Sequence, residues 1–395
     1  MNKKIYVEPF WKMPSGYREQ LLGSPEGYEF VKPQTLSERT FKVAGKLSLS
    51  YSVLNRLDGM IPIYLIKPYL ERFKKVPQGI DLTYSIAHLV FRKEPWIVEL
   101  ETLANFTGGS QKILKKYKGL IERVLASKYC KKISFWNDAG MKSVLLNLDC
   151  SKFQHKIARV NFTVRKKDFI KSYNRERIRL LFVNSTNNLG YFDLKGGKEV
   201  LEAFAILNRK YSNLELVLRS DVPQYIKNEY KGVGNIRFIE KALSWELLER
   251  EYQSADIFLS PGYTTPVWAI LDAMSYELPV VATNVWCTSE YVGEGTTGLL
   301  VPKSEVLSNY PESLAWNTRP PQLLRAIRTV DTRVAQQLAE KTSMLIENEE
   351  LRRRMGKAGR YEIEKGKFSI DERNRRLIKI FDEATLGEEE SRRSR

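Results

Sequence analysis

Short apolar segments alternate with amphipathic segments along most of this chain, and this alternation restricts the possible folds more than any other feature. It is most regular in residues 178–301, where it predicts strands at 178–184, 214–219, 235–240, 256–260, 279–283 and 298–301. Helices are predicted at 197–209, 244–254 and 265–276, with a final helical run over 320–385. Strands that alternate with helices are typical of α/β domains with parallel sheets, so we expect that fold class.

The first part of the chain shows a less regular form of the same pattern. Strands are predicted at 4–10, 81–87, 95–101 and 131–136, and helices at 35–50, 62–74 and 110–126. In the last of these helices, apolar residues such as Ile113, Ile121 and Leu125 share one face, and five basic residues occupy the rest. The apolar face is expected to pack on the sheet of its own domain.

A polar, basic segment at 151–176 separates the two parts, and a new apolar strand begins at 178. A chain of 395 residues is long enough for two or three domains. We therefore predict an N-terminal domain at 1–170 and a second domain at 171–366. A C-terminal helix at 367–385 is predicted to return to the first domain, and residues 386–395 are predicted to form a disordered tail.

The positive charge is concentrated in the first domain. The chain has a formal charge of +17, and residues 1–170 hold 30 Lys and Arg against 15 Asp and Glu, which gives +15. This asymmetry indicates an anionic partner, either a membrane surface, a nucleic acid or an acidic substrate. The basic residues of 110–126 lie among aliphatic residues and not among exposed stacking aromatics, which argues against a nucleic acid.

Several kinds of site are excluded by what the sequence lacks. It has only two histidines, His88 and His155, and no P-loop, no G-x-S-x-G elbow and no D-x-D, so no metal site is expected. No apolar run approaches the roughly 18 residues of a membrane-spanning helix, and the N-terminus is too polar for a signal peptide. Cys130, Cys150 and Cys287 lie far apart, which predicts buried thiols in a cytoplasmic protein.

One glycine motif resembles a dinucleotide-binding fingerprint but lies in the wrong context. Gly293, Gly295 and Gly298 have the G-x-G-x-x-G spacing. That motif binds a pyrophosphate only when it follows a strand and begins a helix, because the helix N-terminus supplies the N–H groups. Here the glycines follow a short helical segment and precede the strand at 298–301. We therefore predict a turn before an edge strand and no NAD site.

The segment 251–302 contains the most informative pattern. A buried strand ends at Ser260, and Thr265 is the predicted N-cap of a helix whose first position is Pro266. This helix begins at the carboxyl edge of the sheet, where the N–H groups of its first turn can bind a diphosphate. Asp272 interrupts an otherwise apolar helix. This position favours a functional acid over a solvated or capping one.

This segment resembles the signature of retaining glycosyltransferases of family 4. The residues that carry the resemblance are Ala255-Asp256-Ile257, Ser260-Pro261, Asp272-Ala273-Met274, Leu278–Thr283, Glu290-Tyr291-Val292 and Gly298–Pro302. The upstream segment Lys195-Gly196-Gly197 with residues 200–204, and the downstream segments 348–359 and 368–369, also match. The similarity covers about 178–385, and the first domain matches only in layout.

The resemblance implies a GT-B fold, in which two Rossmann-like parallel-sheet domains face a central cleft and C-terminal helices close the chain. It implies a metal-independent transfer of a sugar, with retention of the anomeric configuration, from a nucleotide-sugar donor, most often a UDP- or GDP-sugar, without any further cofactor. The first domain of such enzymes receives the acceptor. Because that domain is basic here, we expect a lipid-linked or other anionic glycan acceptor, reached peripherally at the cytoplasmic membrane face.

The resemblance also implies roles for individual residues. Lys195 would stabilise the leaving diphosphate and Asp272 would hold the ribose, while Thr264 and Glu101 would position the donor sugar. His88 is a further catalytic candidate because it follows a predicted strand. The remaining residues expected to bind the donor are Gly196, Thr265, Pro266 and Glu290.

This sequence departs from the family pattern at three positions. The family's acidic pair has the spacing E-x7-E, and its first position is occupied by Thr264. The family's arginine falls near Leu189 or Gly190, and no basic residue lies between Arg179 and Lys195. The family's histidine position is held by Glu101 or Glu99. The alternative to an enzyme is therefore a GT-B scaffold or binding protein that has lost turnover.

Overall fold

The computed structural model describes residues 2–8, 23–31, 62–173, 176–184, 190–309 and 321–393. These residues form two compact units. Of the described residues, unit 1 contains those up to Phe162 and those from Asp371 onward, and unit 2 contains those from Thr163 to Ile370. Each unit contains one six-stranded parallel sheet, so the α/β fold class predicted from the sequence is confirmed.

The sheet of unit 1 has the strand order β2-β1-β3-β4-β5-β6. Its strands are β1 (Lys3–Glu8), β2 (Tyr28–Val31), β3 (Leu82–Ile86), β4 (Trp96–Leu100), β5 (Cys130–Phe135) and β6 (Ile157–Arg159). The α-helices of this unit are Ile63–Leu70, Gln111–Ala126, Asp138–Leu145 and the C-terminal helix Ile370–Arg393, which starts at the last residue of unit 2. Three short 3₁₀ helices are Glu71–Phe73, Leu103–Phe106 and Gln154–Lys156.

Alternate residues of the strands point to two different cores in unit 1. On one face, Trp96, Val98 and Leu100 of β4 pack with Leu65 and with Ile113, Ile121 and Leu125. On the other face, Ile97 of the same strand packs with Leu377, Ile380 and Phe381 of the C-terminal helix. The predicted inward packing of the apolar face of residues 110–126 is confirmed, because this helix lies on the first core.

The sheet of unit 2 has the order β12-β11-β10-β7-β8-β9. Its strands are β7 (Ile178–Val183), β8 (Leu214–Arg219), β9 (Ile236–Ile239), β10 (Ile257–Ser260), β11 (Val280–Thr283) and β12 (Gly298–Val301). The longer helices are Gly197–Lys210, Trp245–Ser254, Val267–Ser275, Thr332–Glu347 and Glu349–Glu364. Shorter helices are Gly190–Leu194, Gln224–Glu229, Thr288–Tyr291 and Pro321–Ala326, with the 3₁₀ helix Glu305–Asn309.

Most of the predicted elements of unit 2 agree with these bounds to within one or two residues. β12 lies at the edge of the sheet and is preceded by a turn in which Gly295 has a φ of +72°. This confirms the turn predicted for the G-x-G-x-x-G segment. Cys130, Cys150 and Cys287 are buried free thiols, as predicted.

The differences are concentrated in unit 1. β2 and β6 were not predicted, because neither is a continuous apolar run: Glu29 interrupts β2, and β6 has only three residues, of which the last is Arg159. The segment 62–74 contains an α-helix that ends at Leu70 and continues as a 3₁₀ turn. The helix predicted at 35–50 lies outside the described residues, and so do the last two residues of the strand predicted at 4–10.

Candidate functional site

The strand order of unit 2 singles out one place at the carboxyl edge of its sheet. From β7 the chain continues through β8 and β9 on one side, whereas β10, β11 and β12 lie on the other side of β7. The segments that follow β7 and β10 therefore diverge. Ligands of open parallel sheets bind at such a topological switch point. The segment after β10 consists of residues 261–266 and leads into the helix Val267–Ser275.

Lys195 contacts the segment that follows β10. Its Nζ donates a hydrogen bond of 2.7 Å to Oγ1 of Thr264. Next to this contact, the backbone N–H of Tyr263 donates to the carbonyl oxygen of Leu194 over 3.0 Å. The structure thus brings together two of the predicted catalytic residues, Lys195 and Thr264, although 69 positions separate them in the sequence.

Gly196 allows this close approach. Its φ of +78° lies in the left-handed region that glycine adopts most easily. A Cβ atom at this position would lie only 2.3 Å from the carbonyl oxygen of Pro261. The turn between the helices Gly190–Leu194 and Gly197–Lys210 therefore requires glycine for two independent reasons, its backbone conformation and the lack of space.

Thr265 and Pro266 precede the helix in a different way from that predicted. The helix begins at Val267 and Pro266 occupies the N-cap position, so the prediction of Thr265 as N-cap is wrong. The Thr265 hydroxyl instead donates to the carbonyl oxygen of Val285 over 2.8 Å and pairs with the Thr288 hydroxyl at 2.9 Å. No described side chain caps this helix, and an uncapped N-terminus is the kind of position that binds anions.

Glu290 is half-buried in the short helix Thr288–Tyr291. Its backbone carbonyl accepts a hydrogen bond of 2.9 Å from Lys367 Nζ. The hydroxyl pair of Thr265 and Thr288 holds this short helix next to the start of the longer one. Glu290 therefore lies in a segment that contacts the one containing Thr264, through the Thr265–Thr288 hydrogen bond.

Asp272 is buried in the second half of the helix Val267–Ser275, with 4% of its surface exposed. Its charge acts on the phenol of Tyr252, whose ring stacks on Tyr276 with the centroids 5.3 Å apart. Burial raises the pKa of Tyr252 well above its usual value, the Asp272 carboxylate raises it further, and Arg219 lowers it. The solvated-acid interpretation of Asp272 is thereby excluded, and its contact with a ribose stays a prediction.

A buried carboxylate that the sequence analysis missed contacts the segment containing Thr264. Glu199 is 1% exposed, and its Oε1 accepts hydrogen bonds from the Tyr263 hydroxyl at 2.8 Å and from the Asp331 N–H at 3.0 Å. Burial raises the pKa of Glu199 to about 7, against the lowering effect of these hydrogen bonds. Since Tyr263 adjoins Thr264, Glu199 positions the segment that Lys195 contacts. The only signal in the sequence was an acid among the apolar residues that follow Gly197.

Glu101 and Glu99 were the two candidates for the family's histidine position, and the structure separates them. Glu99 is buried in β4, where it accepts hydrogen bonds from Trp136 Nε1 at 2.6 Å and from Arg373 at 2.8 Å, and also pairs with the Tyr84 hydroxyl. These contacts give Glu99 a structural role. Glu101 follows the end of β4 at the carboxyl edge of the sheet and is half-buried. Of the two residues it is therefore the better candidate for the family's histidine position.

His88 lies two residues beyond β3, at the carboxyl edge of the unit 1 sheet. Its Nδ1 lies 3.1 Å from the carbonyl oxygen of Ile86. Burial lowers the pKa of His88 to about 4, and the charge of Lys67 contributes to the shift. The imidazole is therefore neutral at pH 7, which suits hydrogen bonding better than the donation of a proton from an imidazolium.

Nowhere in the described part of the chain do three His, Cys, Asp or Glu side chains come together as a metal site would require. Among the described helices, none is both long and apolar enough to cross a bilayer.

Comparison with known proteins identifies a family pattern in this chain and solved structures with a similar fold. Residues 178–315 match the family model described as glycosyl transferases group 1. No curated protein sequence matches the chain. Among solved structures, the chain is similar to a glycosyltransferase from Rickettsia africae ESF-5, with a TM-score of 0.61 and 13% identity, covering 97% of this chain and 98% of that one.

Two further structures with bound ligands are similar to this chain. Anabaena Alr3699/HepE, solved in complex with UDP and glucose, has a TM-score of 0.56 and 11% identity, covering 96% of this chain and 99% of its own. The pneumococcal O-GlcNAc transferase GtfA, solved with UDP and GlcNAc, has a TM-score of 0.50 and 14% identity, covering 77% and 56%. The chain therefore has the GT-B fold, and residues 178–315 carry the group 1 pattern. The narrower assignment to family 4 stays a prediction.

Proposed function

We propose that this chain, with its GT-B fold and group 1 segment, is an enzyme that transfers a sugar from a nucleotide-sugar to an acceptor. One observation carries the proposal. Lys195 and Thr264 meet at the topological switch point of unit 2, inside the segment that matches the group 1 family. A lysine at a switch point, next to an uncapped helix N-terminus, suits a diphosphate group.

The proposed chemistry depends on the charge of the leaving diphosphate. Lys195 and the first N–H groups of the helix Val267–Ser275 stabilise that charge as the glycosidic bond to the nucleotide breaks. The acceptor hydroxyl attacks the anomeric carbon from the face that the diphosphate leaves and passes its proton to the departing phosphate oxygen. The anomeric configuration is therefore retained, and no metal ion or covalent enzyme intermediate is needed. Because Alr3699/HepE was solved with UDP, a UDP-sugar is the first donor to test, followed by a GDP-sugar.

The other candidate residues have roles in the same proposal. Asp272 accepts hydrogen bonds from the ribose hydroxyls, while Gly196, Thr265, Pro266 and Glu290 shape the donor site. Thr264 and Glu101 position the sugar, and neutral His88 is a further candidate for contact with a substrate hydroxyl. The +15 charge of residues 1–170 favours a lipid-linked or other anionic glycan as the acceptor, reached peripherally at the cytoplasmic membrane face.

A second candidate function is a scaffold that binds nucleotide without turnover. The observation that favours it is the uncharged Thr264 at the first acidic position of the family, together with the absence of a basic residue between Arg179 and Lys195. Lys195 would bind the diphosphate and Asp272 the ribose in either candidate, so the enzyme and the scaffold differ only in turnover.

The test compares nucleotide binding with turnover in the same protein. Calorimetric titration with UDP, GDP and ADP is followed by assays of donor hydrolysis with the corresponding nucleotide-sugars. We expect Lys195→Ala to reduce turnover by about two orders of magnitude or more, the effect of removing one preorganised electrostatic contact. Lys210→Ala is the control, because Lys210 is an exposed lysine at the end of the next helix.

The outcomes distinguish the two candidates. Binding with hydrolysis that depends on Lys195 supports the enzyme. Binding without hydrolysis or transfer of any donor supports the scaffold, and no binding of any nucleotide contradicts both.

A further inference from the structure

The segment from Ile63 to Lys75 exposes an unusual group of large apolar side chains. Phe73 is 73% exposed and Leu70 is 61% exposed, while Ile66 and Tyr69 are each 43% exposed. All four lie within eight consecutive residues of unit 1. Exposed apolar side chains that occur singly are common, but a contiguous group on one short segment marks an interaction surface.

These exposed residues do not lie on the side of the helix that packs against the core. Leu65 and Pro68 are the buried residues of Ile63–Leu70, and Leu65 belongs to the core that covers the first face of the unit 1 sheet. The helix therefore has one apolar side in the core and a second apolar side in solvent. An ordinary surface helix carries polar residues on that second side.

Basic residues accompany the exposed apolar ones, namely Lys67, Arg72, Lys74 and Lys75. The Arg72 guanidinium lies 3.8 Å from the ring centroid of Tyr69 and 4.5 Å from that of Phe73. Two of the lysines lie near carboxylates, with Lys67 3.6 Å from Glu71 and Lys74 3.6 Å from Glu8. The segment itself holds four basic residues against one acidic residue, Glu71, and is therefore positively charged.

The helix Gln111–Ala126 lies on the same side of the sheet. Leu65 packs in the same core as Ile113, Ile121 and Leu125, whereas the C-terminal helix packs on the opposite face. The outer side of Gln111–Ala126 exposes Lys112, Lys115, Lys116, Lys118 and Arg123. One side of unit 1 therefore combines an exposed apolar group, at residues 66–73, with a separate row of basic residues.

We propose that this side of unit 1 binds the surface of an anionic lipid bilayer, with Leu70 and Phe73 inserted among the lipids. Amphipathic segments that bind membrane interfaces combine aromatic and aliphatic anchors with basic residues that pair with anionic headgroups. The same charge opposes a second copy of this chain, because self-association through this side would bring two basic surfaces together. The proposal rests on the proposed function, in which a lipid-linked or other anionic glycan acceptor is reached at the membrane face.

The location of the inserted residues distinguishes this proposal from attachment by charge alone. The apolar residues of Gln111–Ala126 pack inward, so this helix contributes only electrostatic attraction, which salt screens. Residues 66–73 contribute burial of apolar surface, which salt does not screen. Binding to anionic vesicles is therefore expected to depend on both segments, but in different ways.

The test is co-sedimentation of the full chain with phosphatidylglycerol and with phosphatidylcholine vesicles at low and high salt. The chain is expected to bind phosphatidylglycerol vesicles only. Leu70→Ser with Phe73→Ser is expected to lower the affinity by about tenfold or more at low salt. Lys112→Gln with Lys115→Gln and Lys116→Gln is expected to reduce the salt dependence of binding. Met344→Ser with Tyr361→Ser is the control, since it removes two exposed apolar side chains of unit 2 and is expected to change nothing.

Three results would overturn the proposal. They are no binding to either kind of vesicle, equal binding of the wild type and the Leu70/Phe73 variant, or a wild-type dimer in light scattering that this variant converts to a monomer. Titration of the same preparations with UDP tests the proposed function separately. A protein that binds UDP but no vesicle contradicts only the membrane surface, and one that binds vesicles but no nucleotide contradicts only the glycosyltransferase.

Discussion

Replacing the buried Glu199 should make the protein more stable at alkaline pH and leave it nearly unchanged at acid pH. Glu199 lies behind the candidate donor site and accepts hydrogen bonds from Tyr263 and Asp331. Glu199→Gln keeps an oxygen that accepts both hydrogen bonds and removes the ionisable group. The change with pH therefore isolates the cost of ionising this carboxyl in the fold.

The sign follows from the direction of the shift. The pKa of Glu199 is about 7 in the folded protein and 4.5 in its ordinary, unburied state. Between these values the folded protein holds a proton that the unfolded chain has released, so the free energy of unfolding falls as the pH rises from 4.5 to 7 and is then constant. The cost of ionisation is about 3 kcal/mol at pH 8 and less than about 1 kcal/mol at pH 5.

Differential scanning calorimetry of both proteins from pH 5 to pH 8 measures the effect. The gain of about 2–3 kcal/mol on going from pH 5 to pH 8 corresponds to a rise of about 5–10 °C in the Tm of Glu199→Gln relative to the wild type. Glu202→Gln is the control, because Glu202 lies one turn later and accepts a 3.0 Å hydrogen bond from Tyr230, but is only half-buried. A difference in Tm between Glu199→Gln and the wild type that is the same at every pH would refute the reasoning.

Three further predictions concern the candidate donor site of unit 2 and the core of unit 1. Asp272→Asn should weaken UDP binding by about tenfold in calorimetry, because a neutral amide accepts the ribose hydrogen bonds less strongly; unchanged affinity with a lower Tm would make Asp272 purely structural. Gly196→Ala should abolish UDP binding, because its Cβ would lie 2.3 Å from the Pro261 carbonyl oxygen, whereas Gly232→Ala, with nothing within 4 Å, should bind normally. Arg373→Ala should lower the free energy of unfolding by about 3–5 kcal/mol, because it leaves the buried Glu99 unpaired. Arg375→Ala, which removes an exposed ion pair, should change the free energy of unfolding by less than about 1 kcal/mol. Chemical denaturation of both variants and the wild type measures these differences.

The strands of unit 2 were predictable because each is a short, mainly apolar segment between polar ones. The predicted 214–219 and 298–301 coincide with β8 and β12, and 178–184 exceeds β7 by one residue. Burial on both faces of a parallel sheet produces such segments. The resemblance added Lys195 and Thr264 as members of one site, and their hydrogen bond is the contact that the structure supplies.

The details that could not be predicted depend on distant partners. Thr265 has the local features of an N-cap, but its hydroxyl donates a hydrogen bond to the carbonyl oxygen of Val285, 20 residues later. Glu199 was missed because its partners Tyr263 and Asp331 are 64 and 132 residues away. The choice between Glu99 and Glu101 depended on Arg373, which comes 274 residues after Glu99 and occupies the core beside it.

Two departures from the family pattern are linked by electrostatics. The family has two basic residues at the diphosphate, and this sequence retains only Lys195 of that pair. A carboxylate at position 264, within 2.7 Å of Lys195 Nζ, would form an ion pair and neutralise much of this single positive charge. The Thr264 hydroxyl accepts the same hydrogen bond without adding a negative charge next to Lys195. If Lys195 binds the diphosphate as proposed, the loss of the arginine and the replacement of the first acid compensate each other in charge.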